Sequence, residues 1–262
     1  MILYKKKFRY LARKYLSWLL RLVYAMRCKY GPSLNSFDQS ECIVVIASFS
    51  RPENINDILK ALVKCSFIKE IVISNHNPDI KIENYCHIDD KRIIYLTSKE
   101  KKGCGYRFEV ARRFQEEYVI VIDDDIFLFP EQIRRLFYFL IKEPSVAHGF
   151  HGTHYITDKS GSLITKSEHR AGTEATVDVL HQGYAVTNSQ IEKMFQLKEC
   201  IDESDDFDPN FLDMTDDILI SLSGNGRPHV HSLGPVIVCE TSLEQGVAVC
   251  QRPGFVELRA KV

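Results

Sequence analysis

The sequence predicts an α/β fold, with a mostly parallel central sheet flanked by helices. Apolar runs at 42–47, 71–74, 92–96 and 118–122 alternate with helical stretches near 53–65 and 106–116, the pattern of βαβ units. Three adjacent carboxylates, Asp123, Asp124 and Asp125, close the last of these runs, at the strand end where open α/β sheets bind ligands. Charge is unevenly spread: residues 1–37 carry nine Lys/Arg and no Asp/Glu, whereas the remainder carries 25 basic and 35 acidic residues.

With 262 residues, 45 % hydrophobic and 26 % charged, the chain has the composition of one large globular domain with an extension. The division expected is a basic amphipathic helix and linker over 1–40 and a catalytic domain over 41–262. The eight cysteines are scattered without a C-x-x-C pair, which speaks against a zinc ribbon. Reduced thiols in a cytosolic setting are expected, with disulfides in a secretory lumen as the alternative. The acidic domain lacks a basic stripe, so no nucleic-acid partner is expected.

In order along the chain, residues 1–29 read as a helix. Phe8, Leu11, Ala12, Tyr15, Leu16, Leu19, Leu20 and Val23 recur at the spacing of one helix face, and Lys5, Lys6, Lys7, Arg9, Arg13 and Lys14 crowd its start. This fits peripheral association with an anionic membrane, on its cytoplasmic face. Three other readings stay open: a core-packing helix, an oligomer contact, or a short signal anchor leading to the Golgi or ER lumen. Residues 30–41 read as a polar linker. The strand at 42–47 leads into Ser48-Phe49-Ser50-Arg51-Pro52, and that at 71–74 into Asn75-His76-Asn77-Pro78. The strand at 92–96 leads into a Lys-rich loop over 99–105.

Beyond the triplet, Ile133, Leu136, Phe137 and Leu140 mark an amphipathic helix over 130–141. A His-rich strand is expected over 146–155, a hairpin or mobile loop over 157–175, and a strand over 177–186 interrupted at Gln182-Gly183. A helix over 190–198 and an acidic loop over 199–213 follow. Asp216-Asp217 then open a helix, since paired carboxylates suit a first turn, and strands close the chain near 229–232 and 235–239. His148, His151 and His154 read as satisfied strand or loop histidines.

The triplet carries the chemistry. Adjacent carboxylates repel one another unless a cation lies among them, and Mg²⁺ or Mn²⁺ takes one or two carboxylates plus substrate phosphates. The plainer reading is an acidic turn capping the helix that begins at Pro130.

The ordered motifs Ser48-Phe49-Ser50-Arg51, Val72-Ile73-Ser74-Asn75, Arg107, Asp123-Asp124-Asp125, Gly149-Phe150, Gln182-Gly183-Tyr184-Ala185 and Thr215-Asp216-Asp217-Ile218 resemble the exostosin-type glycosyltransferases (glycosyltransferase family 64), over about residues 42–240. The resemblance implies a GT-A fold and metal-dependent, retaining transfer from a UDP-sugar, expected to be an N-acetylhexosamine, to a glycan or lipid-linked saccharide. It assigns Asp125 to Mn²⁺ (or Mg²⁺), and Asp123 and Asp124 to the ribose and donor sugar. Ser48, Arg51, Asn75 and Arg107 fall to the nucleotide and diphosphate, with Arg252 as a late diphosphate contact. Asp217, with Asp216 beside it, becomes the catalytic carboxylate. Ala47 and Lys102 depart from the family pattern. Two rivals remain: an inverting GT-A enzyme with Asp217 as general base, and a non-catalytic module binding membranes or sugar nucleotides.

Overall fold

Strand β1 (Cys42–Ser48) runs through the middle of the molecule, and its apolar residues are buried on both faces, as a central parallel strand requires. This computed structural model describes residues 2–159, 163–170, 172–202 and 215–244, with only the backbone for residues 2–14, 163, 202 and 243. Arg252 and positions 203–213 of the expected acidic loop lie outside the described residues.

Parallel neighbours flank β1 on both sides: β2 (Ile68–Asn75) on one and β4 (Tyr118–Asp123) on the other. Strand β3 (Ile93–Thr97) lies beyond β2. The chain therefore moves outward from β1 to β3 and then crosses back to enter on the far side of β1. That reversal makes a topological switch point between the carboxyl ends of β1 and β4, where such sheets bind ligands. Past β4 the sheet continues with antiparallel β11 (Gly183–Thr187), then β6 (His148–Gly149), β12 (His229–Val230) and β9 (Ala175–Thr176), completing eight strands. A three-stranded sheet joins β10 (Val179–Leu180), β7 (Gly152–Thr157) and β8 (Leu163–His169), while β5 (Ile126–Phe127) pairs with β13 (Ile237–Val238).

Alternation along the strands sends side chains to two cores. Val44, Ile46, Ile71, Ile73, Ile120 and Ile122 pack under α2 (Pro52–Leu62) and α4 (Pro130–Lys142). Ile43, Val45, Val72, Val119, Val121 and Val186 pack under α3 (Tyr106–Ala111), α5 (Asn188–Asp202) and α6 (Asp216–Leu222).

Several elements differ from the sequence reading. The triplet does not cap α4: β5 stands between them, Pro130 opens the helix, and the Phe129 N–H donates to the Gln132 side chain instead (2.9 Å). Helix α3 ends at Ala111 because its tail tightens, with Arg113 and Phe114 N–H bonding three residues back. The expected strand over 177–186 is broken in two, since Gln182 takes a positive φ of 67°. Gly183 follows because a Cβ there would meet the Phe150 ring at 2.4 Å. Residues 157–175 hold the hairpin partner β8.

The N-terminal helix α1 (Ile2–Tyr30) is docked at its C-terminal end. Tyr24 and Cys28 are buried in the α2–α4 core, the Tyr24 hydroxyl donates to the Asp57 carbonyl (2.9 Å), and its ring meets Phe127 and Phe129 edge-on. On the outer side Tyr15, Leu16, Trp18, Leu19, Leu22, Val23 and Met26 are exposed. No helix among the described residues is long and apolar enough to cross a membrane. The seven described cysteines are free thiols.

Candidate active site

The turn after β1 and the turn after β4 meet at the switch point. Asp124 is locked between them: its Oδ2 accepts from the Phe49 N–H (3.1 Å), its Oδ1 from Arg51 Nη1 (2.9 Å), and its carbonyl from Asn54 Nδ2 (2.8 Å). The same arginine donates through Nε to the Thr241 hydroxyl and through Nη2 to the Thr241 carbonyl, both at 2.9 Å. Ser48, buried at the end of β1, offers its carbonyl to the His76 N–H (2.8 Å).

Arg107 does the corresponding work on the far side. Its guanidinium bonds Asp216 at 2.6 and 2.8 Å, contacts Asp123, reaches the Tyr184 hydroxyl at 3.3 Å and lies over the Tyr184 ring. One buried cation thus ties the end of β4 to the first turn of α6. The sequence reading sent Arg51 and Arg107 to phosphate; in the structure both guanidiniums are engaged by carboxylates. Asn75 differs similarly. Only 1 % exposed, its amide donates to the Ile80 carbonyl (2.8 Å) and the Thr97 hydroxyl (3.3 Å), while its oxygen accepts from the Asn77 N–H (3.1 Å). It holds its own loop, the local role Asn serves in turns.

Two carboxylates are held differently. Asp125 is 7 % exposed and stands 3.7 Å from Arg51, yet its Oδ1 is buried with no hydrogen-bond partner among the described residues. A buried unpaired carboxylate oxygen is costly, and a hard divalent cation is the partner that suits it. Burial pushes the Asp123 carboxyl up to about 7 despite Arg107, with Asp125 and Asp124 adding to the rise. Burial also raises Asp124, against the pull of Arg51. Three carboxylates here meet only two guanidiniums, one of which is shared with Asp216, and the residues present fit a cation at Asp125.

Asp217 is the second. Its Oδ1 accepts from the Ile218 N–H (2.9 Å) and its Oδ2 lies 3.1 Å from His181 Nδ1, whose other nitrogen is 2.9 Å from the Thr153 hydroxyl. Ser221 donates to the Asp217 carbonyl (2.6 Å) and receives the Leu180 N–H (2.9 Å), joining α6 to β10. The break at Gln182 places His181, and the Gln182 carbonyl receives the Asp123 N–H (3.2 Å). Sequence reasoning singled out Gln182-Gly183 and passed over His181, although a polar residue at a strand break beside an acidic site was the available signal.

The sequence matches the family model for glycosyl transferase family 2 over residues 43–191, more than half of the chain. The chain belongs to glycosyl transferase family 2. The match runs from β1 into α5, taking in the whole switch point and stopping short of Asp216 and Asp217. It supports the glycosyltransferase reading at the level of family 2, and it does not reach the finer exostosin-type resemblance that the motif order suggested. No curated protein matches in sequence.

Among solved structures, this family 2 member is similar to GalNAc-T7 solved with UDP, GalNAc and Mn²⁺. Identity is 9 % and the TM-score 0.52, covering 75 % of this chain and 42 % of that one. The chain thus spans less than half the length of that relative, and the likeness is one of fold: the GT-A type, as the parallel sheet and its switch point require. A CMP:2-keto-3-deoxy-manno-octonic acid synthetase complexed with CTP also superposes, at 13 % identity and a TM-score of 0.49, over 78 % of this chain and 96 % of that one.

Proposed function

We propose that this family 2 protein is a metal-dependent glycosyltransferase that moves a sugar from a nucleotide diphosphate to a hydroxyl acceptor. The observation that carries this is the buried Asp125 Oδ1 at the switch point, which has no hydrogen-bond partner among the described residues. Mn²⁺ or Mg²⁺ bound there would neutralise the diphosphate and make it a better leaving group. The protein's own residues do the rest. Arg51 and Arg107 hold Asp124, Asp123 and Asp216 in place, so that the triplet presents Asp125 without collapsing. Asp217, held by the Ile218 N–H and His181, accepts the proton of the acceptor hydroxyl.

The imidazole behind Asp217 favours the general-base, inverting reading over the retaining one: a carboxylate paired with an imidazole is arranged to receive and pass on a proton. The GalNAc-T7 structure holds UDP, GalNAc and Mn²⁺, which makes UDP-N-acetylhexosamines the first donors to try.

Membrane association is proposed through the outer face of α1, where exposed apolar side chains lie on a segment with nine basic and no acidic residues up to position 37. The lipid-facing acceptor would then be a lipid-linked saccharide. Because Tyr24 and Cys28 belong to the core, the test is substitution and not deletion. Leu19→Glu with Leu22→Glu should release the protein from anionic vesicles and leave donor hydrolysis unchanged; retained vesicle binding would sink this part.

The central test is UDP release from UDP-N-acetylhexosamines by the full chain with Mn²⁺, with EDTA, and in Asp125→Ala. The expected result is turnover that EDTA and the substitution both abolish, with product of inverted anomeric configuration by NMR. Retention would restore the other mechanism. No metal-dependent turnover of any nucleotide sugar would favour a binding module.

A further inference from the structure

A third group of titratable side chains lies away from the carboxylates, on the sheet's far half. His148 opens β6, and its register partner across the parallel ladder is His229 on β12. His231, just past the end of β12 with its N–H bonded to the Gly149 carbonyl (2.9 Å), is two residues from His229 and on the same side of the chain. The C-terminal part of α4 covers them: the His231 ring stacks on Phe139 with centroids 3.7 Å apart and planes within 5°. His231 lies edge to edge with His148, centroids 5.1 Å apart and planes within 21°, and His229 stands perpendicular to His148 at 6.0 Å. One ring nitrogen from each of the three lies within 4.8 Å of the other two.

The hydrogen bonds decide which nitrogens face inward. His148 Nε2 is 2.8 Å from the Glu143 carbonyl oxygen, which only accepts, so Nε2 carries the proton and Nδ1 keeps its lone pair. Nδ1 faces His231 Nε2 at 2.8 Å. A ring N–H given to a backbone carbonyl is the contact that orients a metal-ligating histidine. Glu143 Oε2 stands 3.5 Å from His229 Nδ1, within reach of a fourth position.

We propose that His148, His229 and His231 form a tri-imidazole site for a zinc-class divalent ion, with Glu143 beside it, separate from the cation site at Asp125. Imidazole ligands select zinc, copper or nickel over the hard ions that suit Asp125. Zinc–nitrogen bonds of about 2.0 Å set tetrahedral nitrogens about 3.3 Å apart, so the His148–His231 pair needs to open by only about half an ångström. The ion would clamp the two-residue strands β6 and β12 to the end of α4.

Tag-free full-length protein, purified without chelator, is assayed for zinc by mass spectrometry and for visible absorption after Co²⁺ loading. One equivalent of zinc and tetrahedral Co²⁺ bands are expected, retained in Asp125→Ala. In His229→Gln, a partly exposed position chosen so that the fold survives, affinity should fall by about 100-fold or more with far-UV dichroism unchanged. Zinc-free wild type without Co²⁺ bands, or wild-type zinc affinity in His229→Gln, overturns the site and leaves a hydrogen-bonded imidazole cluster.

Discussion

At the end of β4, Asp124 is taken by Arg51 and Asp123 by Arg107, while Asp125 keeps an oxygen with no partner among the described residues. At the start of α6, Asp216 is taken by that same Arg107, while Asp217 turns to His181. The two acidic groups therefore follow one plan. Neighbouring carboxylates divide the work, one side held by a guanidinium to make crowding tolerable and the other directed toward chemistry. What differs is the second partner. Asp125 lacks one and suits a cation, whereas Asp217 faces an imidazole and suits a proton.

Substitutions can break that division. Asp217→Asn should lower kcat by about 10²–10⁴-fold, the range for losing a general base, with Tm nearly unchanged. Asp216→Asn should instead lower Tm, because it takes from Arg107 the carboxylate that two of its nitrogens engage; the reverse pattern in this pair would undo the assignment. Arg107→Ala should cost about 3 kcal/mol in urea unfolding, since it leaves the buried Asp216 uncompensated and the partly exposed Asp123 without its guanidinium.

Asp125→Ala should abolish the rise in Tm that Mn²⁺ gives the wild type, without lowering the metal-free Tm, because it removes a charge that repels its neighbours. That rise carries a pH signature. With Asp123 pushed up to about 7, protons compete with the metal below that value, so the Mn²⁺-induced shift should grow from pH 5 to pH 7.5. A shift independent of pH would place the cation elsewhere. The smallest effect belongs to Tyr184→Phe, which removes an acceptor 3.3 Å from Arg107 and should cost about 1 kcal/mol by thermal denaturation.

Much of the switch-point half was legible along the chain. β1 and β4 are apolar on both faces, and such runs have one comfortable place, the middle of a covered parallel sheet. Once β1 to β4 are placed, the acidic turn must lie at their carboxyl ends. The far half was less legible, because β6, β9, β10 and β12 are two residues each, too short for a period-2 pattern. Asn75 shows a related limit of reading along the chain: a turn-forming Asn and a ligand-binding Asn look alike until their partners are seen.

By itself, then, the sequence determined the central sheet, the acidic strand end and the basic, amphipathic character of the N-terminal helix, because periodicity and local charge suffice for each. Only the tertiary structure decided which carboxylates are locked and which are open. Arg107 meets Asp216 across 109 residues and Arg51 meets Thr241 across 190, and His148 finds His231 across 83. Pairings of that range come from the packing of elements on both faces of a sheet, and nothing local to either partner announces them.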